Sequence, residues 1–370
     1  MPHTEKTPII QFGTSRFLQA HADLFLCEGT PARAITVVQS SGDPGRAARL
    51  SALADPAGFP VRIRGIENGR VIDEEHRVHS VRRTLSTATD WPELENLVID
   101  EAEIILSNTG DNGFDPCPSD TSAKFDQAMS YPAKLYHLLS GRFLAAGTPL
   151  TIFPMELIPE NGRVLRERVL EIARQQGAAP AHIDWLNACL WANSLVDRIV
   201  SEPIDPVGAV AEPYALWAIE NQPGLTAPTV HSAIQMVDAL EAVERLKLHI
   251  LNLGHTVLAS FWKDGVGNPD ALVRELLREP DGRRMRRVIE DEVLPGFAAH
   301  QMGEEAEEYL ATTLERFSNP FLDHRIADIA QNHPQKVARR ITAFLAWART
   351  ADPGYCAPTL EKIAAEGAPS

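Results

Sequence analysis

The sequence predicts an α/β N-terminal domain built on a doubly wound parallel sheet, followed by a mainly α-helical C-terminal domain. Three observations carry this. Short runs rich in Ile, Val and Leu alternate with helical patterns through the first part of the chain, the signature of parallel strands joined by crossovers. A turn of small residues links the first of these runs to a helix. Beyond about residue 230 only helical periodicity remains. At 370 residues the chain exceeds one ordinary core and divides into two domains. The expected limits are 1–230 and 231–370.

Taken in order, the expected strands are residues 7–12, 34–39, 104–107 and 149–153, with helices at 16–27, 92–99 and 132–146. Residues 60–82 alternate polar and apolar side chains around Asn68-Gly69, which reads as an antiparallel hairpin closed by an Asn-Gly turn. Helical runs follow at 232–262, 270–279, 281–298, 304–316, 320–332 and 334–349, punctuated by Pro and Gly. No internal repeat is present.

The segment Ile9-Ile-Gln-Phe-Gly13-Thr14-Ser15-Arg16-Phe17 reads as strand, turn and helix start. In a Rossmann-like dinucleotide-binding fold such a turn lets backbone amides and a helix N-terminus approach a pyrophosphate. Gly13 occupies the first glycine position of that motif, and Ser15 stands where its second glycine would be. The second strand runs on to Asp43, with Arg46 close behind. An acid there binds the adenosine ribose and favours NAD, whereas an arginine admits the 2′-phosphate of NADP. Both are present; NAD is the expected cofactor and NADP the alternative. Ser107-Asn108-Thr109-Gly-Asp111 follows the third of these strands, at the carboxyl edge where open α/β sheets bind ligands.

Composition removes several classes of function. The chain is 44% hydrophobic and 23% charged, as in ordinary globular proteins, and no apolar run reaches membrane-spanning length. The N-terminus lacks a signal-peptide apolar region, so a cytoplasmic protein is expected. A net charge of −15 argues against nucleic acid as a partner. The four cysteines form no C-x-x-C pair, and the twelve histidines form no H-E-x-x-H. Neither a disulfide framework nor a metal site is expected.

The chemistry points to Lys247-Leu-His-Ile-Leu-Asn252-Leu-Gly254-His255. On a straight helix Lys247, Asn252 and His255 fall at roughly 0°, 140° and 80°, forming one polar sector of an apolar element. A lysine buried there has its pKa lowered by desolvation and can exchange a proton near neutral pH. Asparagine can donate to an oxygen that gains charge, and histidine can orient the same oxygen. A straight helix separates Lys247 from His255 by about 12 Å along its axis. The two converge if the lysine leans over or the helix bends, for which Gly254 is the candidate.

Several of these segments, in this order, resemble the long-chain mannitol dehydrogenase family of polyol and uronate oxidoreductases. Gly13-x-Ser-x-Phe17-Leu-x-Ala-His21 is similar to that family's G-x-G-x-F-x-R-A-H, and Ser107-Asn108-Thr109 to its S-N-T-T-E. Asn193-Ser-Leu-Val196-Asp197-Arg198 resembles N-S-M-V-D-R, Glu212-Pro213-Tyr214 with Trp217 resembles E-P-F…W, and Lys247, Asn252 and His255 fall on K-x-x-x-x-N-x-x-H. The likeness runs from about residue 8 to 345. Gly65-Ile-Glu-Asn-Gly69, Pro154-Met-Glu156-Leu157-Ile-Pro-Glu-Asn161 and Asn319-Pro-Phe321 bring it nearer to the tagaturonate (altronate) reductase branch.

This resemblance implies a metal-independent, NAD(P)-dependent interconversion of a sugar acid's secondary alcohol and its keto form. A polyol dehydrogenase is the alternative substrate reading, and a non-catalytic nucleotide-binding sensor is the alternative class. Lys247 would be the general acid/base, Asn252 would hold the carbonyl oxygen and His255 would position the substrate. Mannitol-type members carry Asp-Asn where this chain has Glu156-Leu157, which leaves the oxygen to Asn252, with Asn161 as a second donor. Asp197 would contact substrate hydroxyls, with an ion pair to Arg198 the plainer role. A carboxylate needs a cation; Lys336, Arg339 and Arg325 are the candidates, with His324 nearby. The cofactor would lie on Gly13, Thr14, Ser15, Arg16, Phe17, Asp43, Ser107, Asn108, Thr109 and Val196. The partner is a small sugar acid or polyol, not nucleic acid or membrane, and the protein a monomer or homodimer.

Overall fold

The computed structural model describes residues 6–110, 112–265 and 267–366. Its contacts divide the chain into two compact units. The first comprises Met1–Ile63, Glu74–Ala211 and Ala215–Leu240; the second comprises Arg64–Asp73, Glu212–Tyr214 and Glu241–Ser370. The chain therefore enters the second unit twice before settling in it. That is more interleaved than a single cut at residue 230.

The first unit holds a six-stranded parallel sheet. Its spatial order is Val81–Ser86, Ile35–Gln39, Ile9–Phe12, Ile104–Ser107, Thr151–Pro154 and Leu190–Trp191. The first strand in sequence is central, and the order reverses on either side of it. Its four residues are all fully or nearly buried, as a strand covered on both faces requires. Helices Trp91–Asp100, Tyr131–Leu144 and Asn161–Gln175 contribute Leu94, Leu139 and Val169 to the core on this sheet.

Residues Phe59–Glu67 and Arg70–Val78 form the expected hairpin. Asn68 (φ 51°) and Gly69 (φ 72°) take the left-handed conformations that an Asn-Gly turn needs. The elements between residues 154 and 231 were not assigned from the sequence, and two assignments differ from expectation. Val81–Ser86 continues into the parallel sheet, and Ile234–Val237 is a strand paired with Leu216–Glu220 rather than the start of a helix. The β-branched and Met side chains of Ile234–Val237 suit a pleated surface as well as a helix face.

The second unit is helical from Leu240 onward, around a core containing Val257, Ile289, Phe297, Ile341 and Phe344. The two early segments belong to it by specific bonds. Glu315 accepts from the backbone N–H groups of Asn68 and Gly69 at 3.2 and 2.7 Å. Asn319 donates to the carbonyl of Arg64 at 3.2 Å, and the Arg64 guanidinium lies 4.2 Å over the Phe321 ring. Arg316 grips Glu212 through two bonds of 3.1 and 2.8 Å, with both side chains buried. No helix among the described residues is long and apolar enough to cross a membrane.

Candidate functional site

The first unit's site lies at the carboxyl edge of the sheet, where the chain order reverses. A cavity of about 580 Å³ is lined there by Gly13, Thr14, Ser15 and Arg16, by Asn108, Thr109 and Gly110, and by Gln39, Ser40 and Ser41. Arg46, Arg49 and the loop Pro203–Gly208 complete it.

Gly13 is required by its backbone. Its φ is 129°, and a Cβ would stand 2.6 Å from the Asn108 carbonyl oxygen. Ser15 caps the helix that starts at Arg16, its hydroxyl accepting from the Leu18 N–H at 3.4 Å. The arrangement leaves the backbone of a tight turn and a helix start facing the cavity, which is the surface a pyrophosphate needs. The donors, the shape and the absent Cβ all fit a dinucleotide.

Of the residues expected to hold the cofactor, Gly13, Thr14, Ser15, Arg16, Asn108 and Thr109 line this cavity. Phe17, Ser107, Asp43 and Val196 do not. Ser107 is buried and donates to Glu156 at 3.0 Å, while Phe17 stacks on His21. Val196 is buried in its strand. Asp43 is an exposed helix cap: its carboxylate accepts from the Gly45 N–H at 2.8 Å and stands 3.8 Å from the Arg46 guanidinium. Asp43-Pro44 was legible as a cap followed by proline in the first turn. Asp111 lies outside the described residues.

Glu156 is the residue that the sequence reading undervalued. Its buried carboxyl accepts from Ser107 and from both the N–H and hydroxyl of Thr109, each at 3.0 Å. It thereby fixes the turn lining the cavity. Burial raises its pKa above the usual carboxylate range. Asn161, expected to touch substrate, is instead a bracket. Its NH₂ group donates to the carbonyls of Pro154, Glu156 and Ser194, and its oxygen accepts from the N–H groups of Gly162 and Ser194. With no exposure and every polar atom spent, it has nothing left for a ligand. Asp197 is buried at the end of its strand, and the neighbouring Arg198 donates to the Ala20 carbonyl at 2.8 Å.

The second unit carries the Lys-Asn-His trio. Lys247–Asn252 is a π-helical turn between Leu240–Leu246 and Leu253–Asp264. Its i→i+5 bonding widens the turn and carries residues five apart toward the same side, which a regular helix does not do. The π turn, not Gly254, is the departure from a straight helix. Gly254 serves close packing, since a Cβ there would meet Ile289 at 3.1 Å. Lys247 is half-buried rather than enclosed, because it opens the turn where the helix emerges from the core.

Asn252 is half-buried, and its carboxamide makes no hydrogen bond among the described residues. His255 is buried, stacked on Phe317 at 4.0 Å and edge-on to His324 at 4.9 Å. Its Nε2 has no partner among the described residues. Burial, reinforced by His324, Arg340, Arg316 and Lys336, pushes its pKa well below the ordinary value, so the ring is neutral.

Cations gather around the trio. Lys336 is half-buried and donates to the Ile329 carbonyl at 2.7 Å; burial and Arg340 lower its pKa. Arg340 reaches the Asn252 carbonyl at 3.2 Å and the Thr256 hydroxyl at 3.1 Å. Arg339 and Arg325 are exposed and take no part in these contacts. Arg340 was the arginine to choose, since it lies four residues after Lys336 and therefore on the same helix face. Among the described residues no group of three His, Cys, Asp or Glu side chains could hold a metal.

A parallel sheet with a Gly13 turn at its reversal point and a cavity of dinucleotide size defines a protein of the dinucleotide-binding type. Two family models match, the mannitol dehydrogenase Rossmann domain over residues 7–232 and the mannitol dehydrogenase C-terminal domain over 239–360. The chain belongs to the mannitol dehydrogenase family. Altronate oxidoreductase of Halalkalibacterium halodurans is 28% identical over 90% of this chain and 69% of its own length. That of Escherichia coli O1:K1 / APEC is 30% identical over 90% and 73%. Among solved structures, a substrate-free D-sorbitol dehydrogenase matches with TM-score 0.77 at 20% identity, covering 92% of this chain and 76% of that one. Pseudomonas fluorescens mannitol 2-dehydrogenase matches with TM-score 0.66 at 18% identity, covering 97% and 84%. These two likenesses are of fold.

Proposed function

We propose that the protein interconverts the secondary alcohol of an altronate-like sugar acid and the corresponding keto acid, using a nicotinamide dinucleotide. The observation that carries this reading is the cluster of Lys336, Arg340 and neutral His255 around Asn252, which suits an anionic, hydroxylated substrate. The altronate oxidoreductase relatives support the same substrate class.

The nicotinamide, when bound, supplies or accepts the hydride. Lys247 takes the hydroxyl proton during oxidation and returns it to the oxygen during reduction. Asn252, whose carboxamide has no other partner, donates to that oxygen as charge develops. His255, held neutral and rigid between Phe317 and His324, offers a polar edge to a substrate hydroxyl. Lys336 and Arg340 hold the carboxylate, Arg340 by the bidentate geometry natural to guanidinium.

The test is a panel of tagaturonate, fructuronate, mannitol and arabinitol, with turnover followed by nicotinamide absorbance. Sugar acids should be strongly preferred. An Arg340→Ala variant should raise KM for the sugar acid about tenfold, whereas Arg339→Ala should leave it unchanged. Equal turnover of neutral polyols would remove the carboxylate clamp.

A further inference from the structure

Which dinucleotide the first unit takes is written at the far end of its cavity. In folds of this kind an acidic side chain at the end of the second strand binds both ribose hydroxyls and selects NAD. Here the strand Ile35–Gln39 ends in an amide whose polar atoms are already used. The Gln39 oxygen accepts from Ser86 at 2.7 Å, and its nitrogen donates to the Ser41 hydroxyl at 2.7 Å and the Asp43 carbonyl at 3.3 Å. Asp43, the nearest acid, is absent from the lining and committed to its helix cap.

What faces the cavity after that strand is Ser40, Ser41, Arg46 and Arg49. Arg46 meets Asp43 only at 3.8 Å, with both side chains more than half exposed, a contact of little energy. Arg49 forms no ion pair among the described residues. The Ser41 hydroxyl accepts from Gln39 and from the Asp43 N–H, and its own proton points to no protein acceptor among the described residues. The platform beneath is stiff and cationic. The Ser40 carbonyl accepts from Lys134 at 2.8 Å, from Gln127 at 3.0 Å and from Thr87 at 3.1 Å. Among the described residues the one acid of the lining, Asp205, sits on the loop that Gly208 fastens to Gln19.

We infer that Arg46, Arg49 and Ser41 form a binding site for the 2′-phosphate of adenosine, so that the protein takes NADP(H) in preference to NAD(H). This reverses the NAD expectation drawn from Asp43, and it rests on the reading of this cavity as a dinucleotide site. Two guanidinium groups and a hydroxyl suit a phosphate dianion, whereas the carboxylate that would accept from both ribose hydroxyls is missing beside them among the described residues.

The experiment is calorimetric titration of the full chain with adenosine 2′,5′-bisphosphate, its 3′,5′ isomer and adenosine 5′-monophosphate. None of these carries nicotinamide, so the readout is independent of turnover. The 2′,5′-bisphosphate should bind at least about tenfold tighter than the monophosphate and several-fold tighter than its isomer. The Arg46→Ala/Arg49→Ala double variant should bring the affinities together. Equal binding of 2′,5′-bisphosphate and monophosphate would overturn the 2′-phosphate site while leaving the dinucleotide reading intact. Equal binding of the two isomers would also overturn it, by revealing charge attraction alone. Binding of none of them would overturn the dinucleotide reading together with it.

Discussion

Three buried carboxyls, Glu156 and Asp23 in the first unit and Glu212 in the second, are accommodated in different ways. In the first, Glu156 is enclosed with hydroxyl and N–H donors but no cation, and Asp23 is enclosed with one oxygen unpartnered among the described residues. Burial raises the pKa of both, that of Asp23 to about 7. In the second, Glu212 is met by a bidentate guanidinium, and cations are otherwise in excess around His255. Among the described residues Glu156 and Asp23 have no cation to favour their ionised forms, whereas Glu212 has one within hydrogen-bond reach. The surroundings differ as well: the first unit's cavity is lined by backbone, small polar groups and Arg16, Arg46 and Arg49, while Lys336 and Arg340 lie near His255 in the second.

The largest effect should come from the second unit's amine. Lys247→Ala should lower kcat by about 10²–10⁴-fold, the usual contribution of a positioned acid/base. Dinucleotide affinity, followed by fluorescence titration, should not change. Full turnover in this variant would remove Lys247 from the chemistry.

Next in size is the buried pair. Glu212→Ala leaves the Arg316 guanidinium enclosed without a counter-charge and should cost about 3–5 kcal/mol in denaturant unfolding. A loss below about 1 kcal/mol would mean that water reaches the arginine.

Asp23 should behave differently. Its folded pKa, about 7, lies above the ordinary value of 3.8, so the folded state holds the extra proton in that window. The stabilisation is fully present below about pH 4 and disappears as pH rises through about 7. Asp23→Asn, which mimics the protonated form, should flatten this slope. The difference between the two proteins amounts to roughly 4 kcal/mol at most. Parallel urea midpoints for both proteins from pH 4 to about 8 would deny the buried acid its proton.

The smallest of the four concerns the cradle. Gly13→Ala combines a φ of 129° with a 2.6 Å approach to the Asn108 carbonyl. It should weaken adenine-nucleotide binding about ten- to a hundredfold through displaced turn geometry, with little change in kcat at saturation. Unaltered binding would show that the turn does not bear on the cofactor.

Elements whose physics is local were legible in the sequence. The parallel strands stand out as β-branched runs, Asn68-Gly69 announces its hairpin, and Gly13 its tight turn. Lys247, Asn252 and His255 were found by spacing alone, yet their geometry was not, because helical-wheel reasoning assumes a regular turn and Lys247–Asn252 is a π turn. Little more than a quarter turn separates Arg339, exposed, from Arg340, which reaches Asn252. Asn161 looked available because a sequence does not display how many backbone groups converge on one amide. Glu156 drew no role from the sequence, because its partners Ser107 and Thr109 lie on a turn one strand away.

The detours of the chain at Arg64–Asp73 and Glu212–Tyr214 have a practical consequence. A fragment cut at residue 241 would contain Arg316, Asn319 and Glu315 but not Glu212, the Arg64 carbonyl or the Asn68 and Gly69 N–H groups to which they bond. Module swapping between relatives at that point, in the laboratory or by recombination, would have to carry the hairpin tip and the Glu-Pro-Tyr tripeptide along with the helices. Exchange therefore has three seams to match, not one.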